Sequence, residues 1–167
     1  MRKSMIILAL MLVACGLSGC AQQEATEIAP QELLGMEKNT VAVEGRAFES
    51  VKEMHIGRVN YIDDVAVFKY AKDDKSVMLW VATYSNSSLA QNETDKMVQA
   101  MSSFKDWGAK INEFEVENEQ VFSLPREDER HYFWGNDYCM FYFVSENLND
   151  TESRTIIGEL DCDKKWI

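Results

Sequence analysis

Between residues 59 and 84 the apolar positions recur with a period of two. In Val65-Ala66-Val67-Phe68-Lys69-Tyr70, an extended chain puts Val65, Val67 and Lys69 on one side and Ala66, Phe68 and Tyr70 on the other. Lys72-Asp73-Asp74-Lys75 is a polar turn, and Val77 to Tyr84 is a second run rich in β-formers, so the two runs predict a hairpin. Asp63-Asp64 marks a turn or bulge where the pairing starts.

The period then changes. Ser88 followed by Gln91 has the form of a capping box. Ala90, Thr94, Met97, Val98, Met101 and Phe104 recur at helical spacing, predicting a helix over about 88–106 that Gly108 ends. The methionines in that stripe read as adaptable core filler. Beyond it, Ile111 to Glu117 alternates again, and Val121 to Leu124 is a short apolar piece stopped by Pro125. Arg126 to Arg130 reads as a charged loop. Arg130–Trp134 and Tyr138–Val144 flank Gly135-Asn136-Asp137, a hairpin signal.

In the last of these runs Cys139, Phe141 and Phe143 share one face, with Tyr138, Met140, Tyr142 and Val144 on the other. A strand apolar on both faces belongs in the middle of a sheet. Thr151 to Leu160 predicts a short final helix capped by Asn149 or Asp150. With an irregular or helical lead-in at 46–56, the order is β-β-α-β-β-β-α. The expected fold is α+β: a largely antiparallel sheet of about five strands, the 88–106 helix packed on it, and a short C-terminal helix.

The first twenty residues follow a different pattern. Arg2 and Lys3 precede an uninterrupted apolar run from Met5 to Val13, then small residues, then Cys20. The uncharged stretch is shorter than the roughly 20 apolar residues that span a bilayer, and the arrangement is that of a cleavable export signal. Leu17-Ser18-Gly19-Cys20 resembles the lipobox of prokaryotic lipoproteins. The resemblance implies that residues 1–19 are removed and that Cys20 carries diacylglycerol. Leu12-Val13-Ala14-Cys15 fits the same pattern and leaves a shorter apolar core; an uncleaved anchor or an ordinary secreted protein is the alternative. Two acyl chains anchor stably where one holds only marginally. The expected organisation is a signal peptide at 1–19, the lipidated cysteine and a polar flexible tether at 20–40, and one domain at 41–167. Within the tether Gln31 to Met36 has the makings of a helical turn.

Charge narrows the partners. The chain carries −11, and loss of residues 1–19 leaves 15 basic against 28 acidic residues, a net −13. That balance argues against nucleic acid and against a second, electrostatic contact with anionic lipid. The membrane, reached through lipid on Cys20, is the expected partner, with an envelope protein or glycan as a further one.

Candidate chemistry is sparse. Cys139 and Cys162 are the two cysteines left downstream, an exported location permits disulfides, and the even pair points to a bond between them, with two buried free thiols as the alternative. No Cys-x-x-Cys motif suggests redox catalysis. His55 and His131 are the sole histidines; His131, beside Glu127, Asp128 and Glu129, reads as part of a hydrated loop, since no His/Cys metal spacing is present. Asn147 to Gly158 fails as a calcium loop, with Glu152 where glycine is needed and Gly158 where glutamate is needed. No phosphate loop or nucleophile elbow occurs, so no cofactor, metal or catalytic residue is assigned.

Asn86, Asn92 and Asn149 each begin an Asn-x-Ser/Thr sequon, but all lie near helix starts where such residues serve as caps. The aromatics are dense from Tyr132 to Phe143, with burial the first expectation and an open aromatic face the second. The sequence therefore points to a lipid-anchored, extracytoplasmic binding or scaffolding domain on the cell surface or in the periplasm. Tyr138, Met140 and Tyr142 form its first candidate contact face. An envelope-polymer hydrolase acting through carboxylates is the alternative, since paired carboxylates are spatial and invisible in a linear sequence.

Overall fold

The computed structural model describes residues 23–54, 61–103 and 110–164. In chain order these form α1 (Ala25–Ile28), β1 (Glu32–Leu33), β2 (Met36–Val43), α2 (Glu44–Met54), β3 (Ile62–Lys72), β4 (Lys75–Tyr84), α3 (Ser87–Ser103), β5 (Asn112–Val116), β6 (Glu119–Arg126), β7 (Glu129–Asn136), β8 (Cys139–Glu146) and α4 (Asp150–Glu159). The fold is α+β. All eight strands lie in one antiparallel sheet ordered β1-β2-β3-β4-β8-β7-β6-β5. Two four-stranded meanders thus meet along β4 and β8, with α3 as the connection between them.

Tight turns build each meander. Leu34 and Gly35 both take positive φ between β1 and β2, as do Glu117 and Asn118 between β5 and β6. Both-positive turns match the twist of a hairpin. Asp73, Glu127 and Asp137 supply the left-handed residue in the other three hairpins.

The sheet has three strands more than the periodicity indicated. β6 runs on through Pro125 to Arg126 and turns directly into β7, so the expected loop at 126–130 is only the Glu127-Asp128 turn. Proline is tolerated there because β6 has outrun β5, whose last partner is Ser123 opposite Asn112, and has an open edge. The other two extra strands fall in the expected tether. Ala25, Ile28 and Leu33 are wholly buried and Met36 nearly so, and the buried Tyr70 hydroxyl donates to the Pro30 carbonyl at 2.7 Å. Residues 25–40 therefore belong to the domain. The expected signal peptide at 1–19, with Cys15, and the expected lipidation site Cys20 lie outside the described residues.

Helix starts also differ in detail. Asn86, not Ser88, caps α3, its side chain accepting from Leu89 N at 3.0 Å. α4 carries a full capping box, with Asn149 and Glu152 exchanging hydrogen bonds of 3.0 Å. The expected end of the long helix, with Phe104 and Gly108, lies outside the described residues, as does His55.

Helices cover both sheet faces. On one, Phe68, Tyr70, Leu79, Trp134, Phe141 and Phe143 pack under α1 and α4, with Trp134 stacked on Phe141 at 5.0 Å and Tyr132 on Phe143 at 4.5 Å. Such aromatic pairs add about 1 kcal/mol beyond their burial. Cys139 is bonded to Cys162 across a Cα–Cα distance of 5.7 Å, pinning the segment after α4 to the start of β8. On the other face Val65, Val67, Ala82 and Met140 lie under α2 and α3. Gly135 lets α3 come close to β7: a β-carbon there would sit 3.0 Å from Thr94 Oγ1.

Candidate functional site

α2 packs on β2 and β3, while α3 packs chiefly on β7 and β8. Over the middle of the same face a cavity of about 530 Å³ remains. The strand register lays out its floor. Met78, Trp80 and Ala82 of β4 stand opposite Lys69, Val67 and Val65 of β3, and opposite Val144, Tyr142 and Met140 of β8. His131 of β7 stands opposite Val144. Val51 of α2 and Met97 and Met101 of α3 supply walls.

The lining changes character along the strands. Toward the start of β3 and end of β4 it is apolar and closed: Val65, Tyr84 and Met140 are 2, 3 and 6 % exposed. Toward the β3–β4 and β6–β7 turns it is charged and open, with Lys69, Arg126 and Glu146 exposed and Ser76 and Glu129 partly so. The site is a blind apolar recess with a polar mouth. Its size lies within the ~300–1,000 Å³ range of small-molecule sites, and four methionines, Met78, Met97, Met101 and Met140, give it a wall that adapts to shape.

A hydrogen-bonded polar pair sits inside this lining. His131 Nδ1 lies 2.6 Å from the Tyr142 hydroxyl, and its Nε2 faces Glu129 Oε2 at 3.4 Å. A neutral imidazole with its proton on Nε2, toward Glu129, accepts a hydrogen bond from the Tyr142 hydroxyl on Nδ1. Burial is the largest influence on His131 and holds its pKa below the usual histidine value, Glu129 opposing. Burial also pushes the Tyr142 phenol up, so it stays protonated. The Tyr142 ring lies against Trp80, centroids 5.2 Å apart. Trp80 Nε1 is buried and has no hydrogen-bond partner among the described residues.

The sequence-derived contact face is thus divided. Met140 and Tyr142 line the cavity together with Val144. Tyr138 precedes the first residue of β8 and packs instead against the opposite core, its hydroxyl 3.5 Å from the Cys162 carbonyl. His131 is the residue that linear reading missed. It is 5 % exposed within β7 and not part of a hydrated loop; the alternation Glu129-x-His131-x-Phe133 was the available signal. Of the dense aromatics, Tyr132, Trp134, Phe141 and Phe143 are core under α1 and α4, while Phe133 stacks on Phe122 at 5.5 Å.

Cys139 and Cys162 form the anticipated disulfide. Asn86 and Asn149 act as helix caps, and Asn92 is exposed on α3. Among carboxyls, Asp137 is held above its ordinary value, first by desolvation and then by Asp163 and Asp161; it lies outside the cavity. Among the described residues no group of three or more His, Cys, Asp and Glu side chains is placed to hold a metal ion. No described helix is long and apolar enough to cross a membrane. No known protein-family model matches the chain, and no curated protein matches it in sequence.

Proposed function

We propose that this is a lipid-anchored, extracytoplasmic binding protein whose domain takes a small apolar or amphiphilic molecule into the cavity beneath α2 and α3. The cavity is the observation that carries the reading. It is an apolar recess left between two helices, while the other face of the sheet packs a buried aromatic core under α1 and α4. The lipobox-like Leu17-Ser18-Gly19-Cys20 supports the anchor, and the Cys139–Cys162 bond is compatible with an oxidising compartment. Ala25, where α1 starts, is five residues past Cys20, so an acyl-bearing Cys20 lies within about 18 Å of the domain even with the chain fully extended. The domain would ride close to the bilayer.

Binding is tested with a neutral fluorescent probe, N-phenyl-1-naphthylamine, whose emission rises in an apolar site. The wild-type chain brightens the probe and Val144→Trp, which fills the floor of the recess, does not. Equal brightening by both chains places the probe elsewhere and removes the support. Anchoring is tested by feeding cells labelled fatty acid: label enters the wild-type protein and not Cys20→Ser. Label retained by Cys20→Ser and lost from Cys15→Ser would move the anchor to Cys15.

A further inference from the structure

The two sides of the cavity mouth carry different charged groups, Arg126, Glu129 and Glu146 on one and Lys69 on the other. On the β6–β8 side Arg126 and Glu129 are cross-strand partners, Glu129 faces His131, and Glu146 accepts a hydrogen bond from Ser76 Oγ at 3.0 Å. On the β3 side Lys69 stands by itself. It lies on the same strand face as Val65 and Val67, lines the cavity, is exposed, and forms no ion pair among the described residues. Glu129 and Glu146, the carboxylates of that side, are on β7 and β8, three and two places from β3 in the strand order, so about 14 and 10 Å from it across the sheet at the usual strand spacing. An unpaired ammonium at the open end of an apolar recess is the arrangement that holds a chain by its tail and an anion by its head.

Resting on the cavity reading above, we infer that the ligand is a single-chain amphiphile with an anionic head, its chain in the recess between Val65, Met78, Trp80 and Met140 and its head at Lys69. The volume of about 530 Å³ is in the lower half of the small-molecule range and suits one chain. The unbranched chain has many shapes, and the methionine-rich wall can follow them. The net charge of −11 repels anions at long range, so chain burial supplies the affinity and Lys69 supplies the choice of head. A free fatty acid and a single-chain phospholipid share this chemistry.

The test uses the full-length chain in zwitterionic-lipid nanodiscs, with empty discs as the partition control and displacement of N-phenyl-1-naphthylamine as the readout. Hexadecanoate is expected to displace the probe about tenfold more tightly than hexadecan-1-ol, the discrimination of one charge-assisted hydrogen bond. Lys69→Gln, an exposed substitution, is expected to weaken displacement by hexadecanoate about tenfold and so close that gap. If acid and alcohol displace equally from the wild type, the anionic head is wrong and the cavity reading stands. If neither displaces, both fail. A gap that survives in Lys69→Gln overturns the assignment to Lys69. Palmitoyl-lysophosphatidylglycerol, run alongside, supports a phospholipid source if it matches the acid and a free-acid source if it does not.

Discussion

The Tyr142 hydroxyl is 2.6 Å from His131 Nδ1 across the β7–β8 pair. It is a hydrogen bond between two side chains that each lie in largely apolar surroundings. Removing one partner leaves the other desolvated, which costs about 1–3 kcal/mol. Tyr142→Phe should therefore lower the free energy of urea unfolding by that amount with little change in the slope. An unaltered midpoint would mean that the bond adds nothing.

His131 also sets a pH dependence. Burial disfavours the imidazolium, so the unfolded chain binds a proton more readily than the folded one. Stability is then full above the ordinary histidine pKa of 6.5, falls as the pH drops through it, and levels off below the lowered folded value. Urea midpoints should decline from about pH 7.5 to 5.5, and His131→Gln should flatten the decline over that interval. The same slope in both chains would place the titrating group elsewhere.

The Cys139–Cys162 bond closes a loop with a sequence separation of 23 residues. Chain entropy assigns such a loop about 3 kcal/mol. The double Cys139→Ala, Cys162→Ala chain should lose stability of that order. In intact mass after alkylation, the two thiols should take label only once reductant is added.

Gly135 tests the packing of α3. Gly135→Ala brings a β-carbon to 3.0 Å from Thr94 Oγ1 and 3.4 Å from Gln91 Oε1. Overpacking of this kind costs about 1–3 kcal/mol. Thr94→Ala should be destabilising alone and should restore part of the loss when combined with Gly135→Ala, a non-additive pair. Additive losses in thermal melts would show that α3 simply shifts.

The three sequons separate by the same measure. Asn149→Ala and Asn86→Ala each remove a cap and should cost about 1 kcal/mol, whereas Asn92→Ala, at an exposed helical position, should cost nothing measurable. These values, taken on protein made without glycosylation, isolate capping from any glycan.

Where the local period or turn chemistry is clear the sequence was legible. The β3–β4 hairpin, the facing of Val65, Val67 and Lys69, the central place of β8 and the Asn149 cap all follow from local pattern. β1 and β2 were hidden because they end the sheet. Glu37, Lys38, Asn39 and Thr40 run consecutively as polar residues on a strand near an edge, where charge guards against stray pairing, so they resemble a linker. His131 was misplaced because its neighbours Arg126 to Arg130 are charged, although the turn among them is only two residues long. The cavity left no local trace. It exists because α2 and α3 settle on the flanks of the sheet, a property of tertiary spacing that no run of residues encodes.

The pairing of β4 with β8 has a consequence for how the chain comes into being. The strand that completes the middle of the sheet is the last of the eight described strands to be synthesised, with Thr83 waiting for Cys139 and Ser76 for Glu146. Until it arrives, the first meander exposes an open inner edge. Pairings of such long range are slow to form. A nascent chain of this topology cannot complete its native sheet before β8 has been made, so β4 keeps an unpaired edge while residues 85–138 are being synthesised.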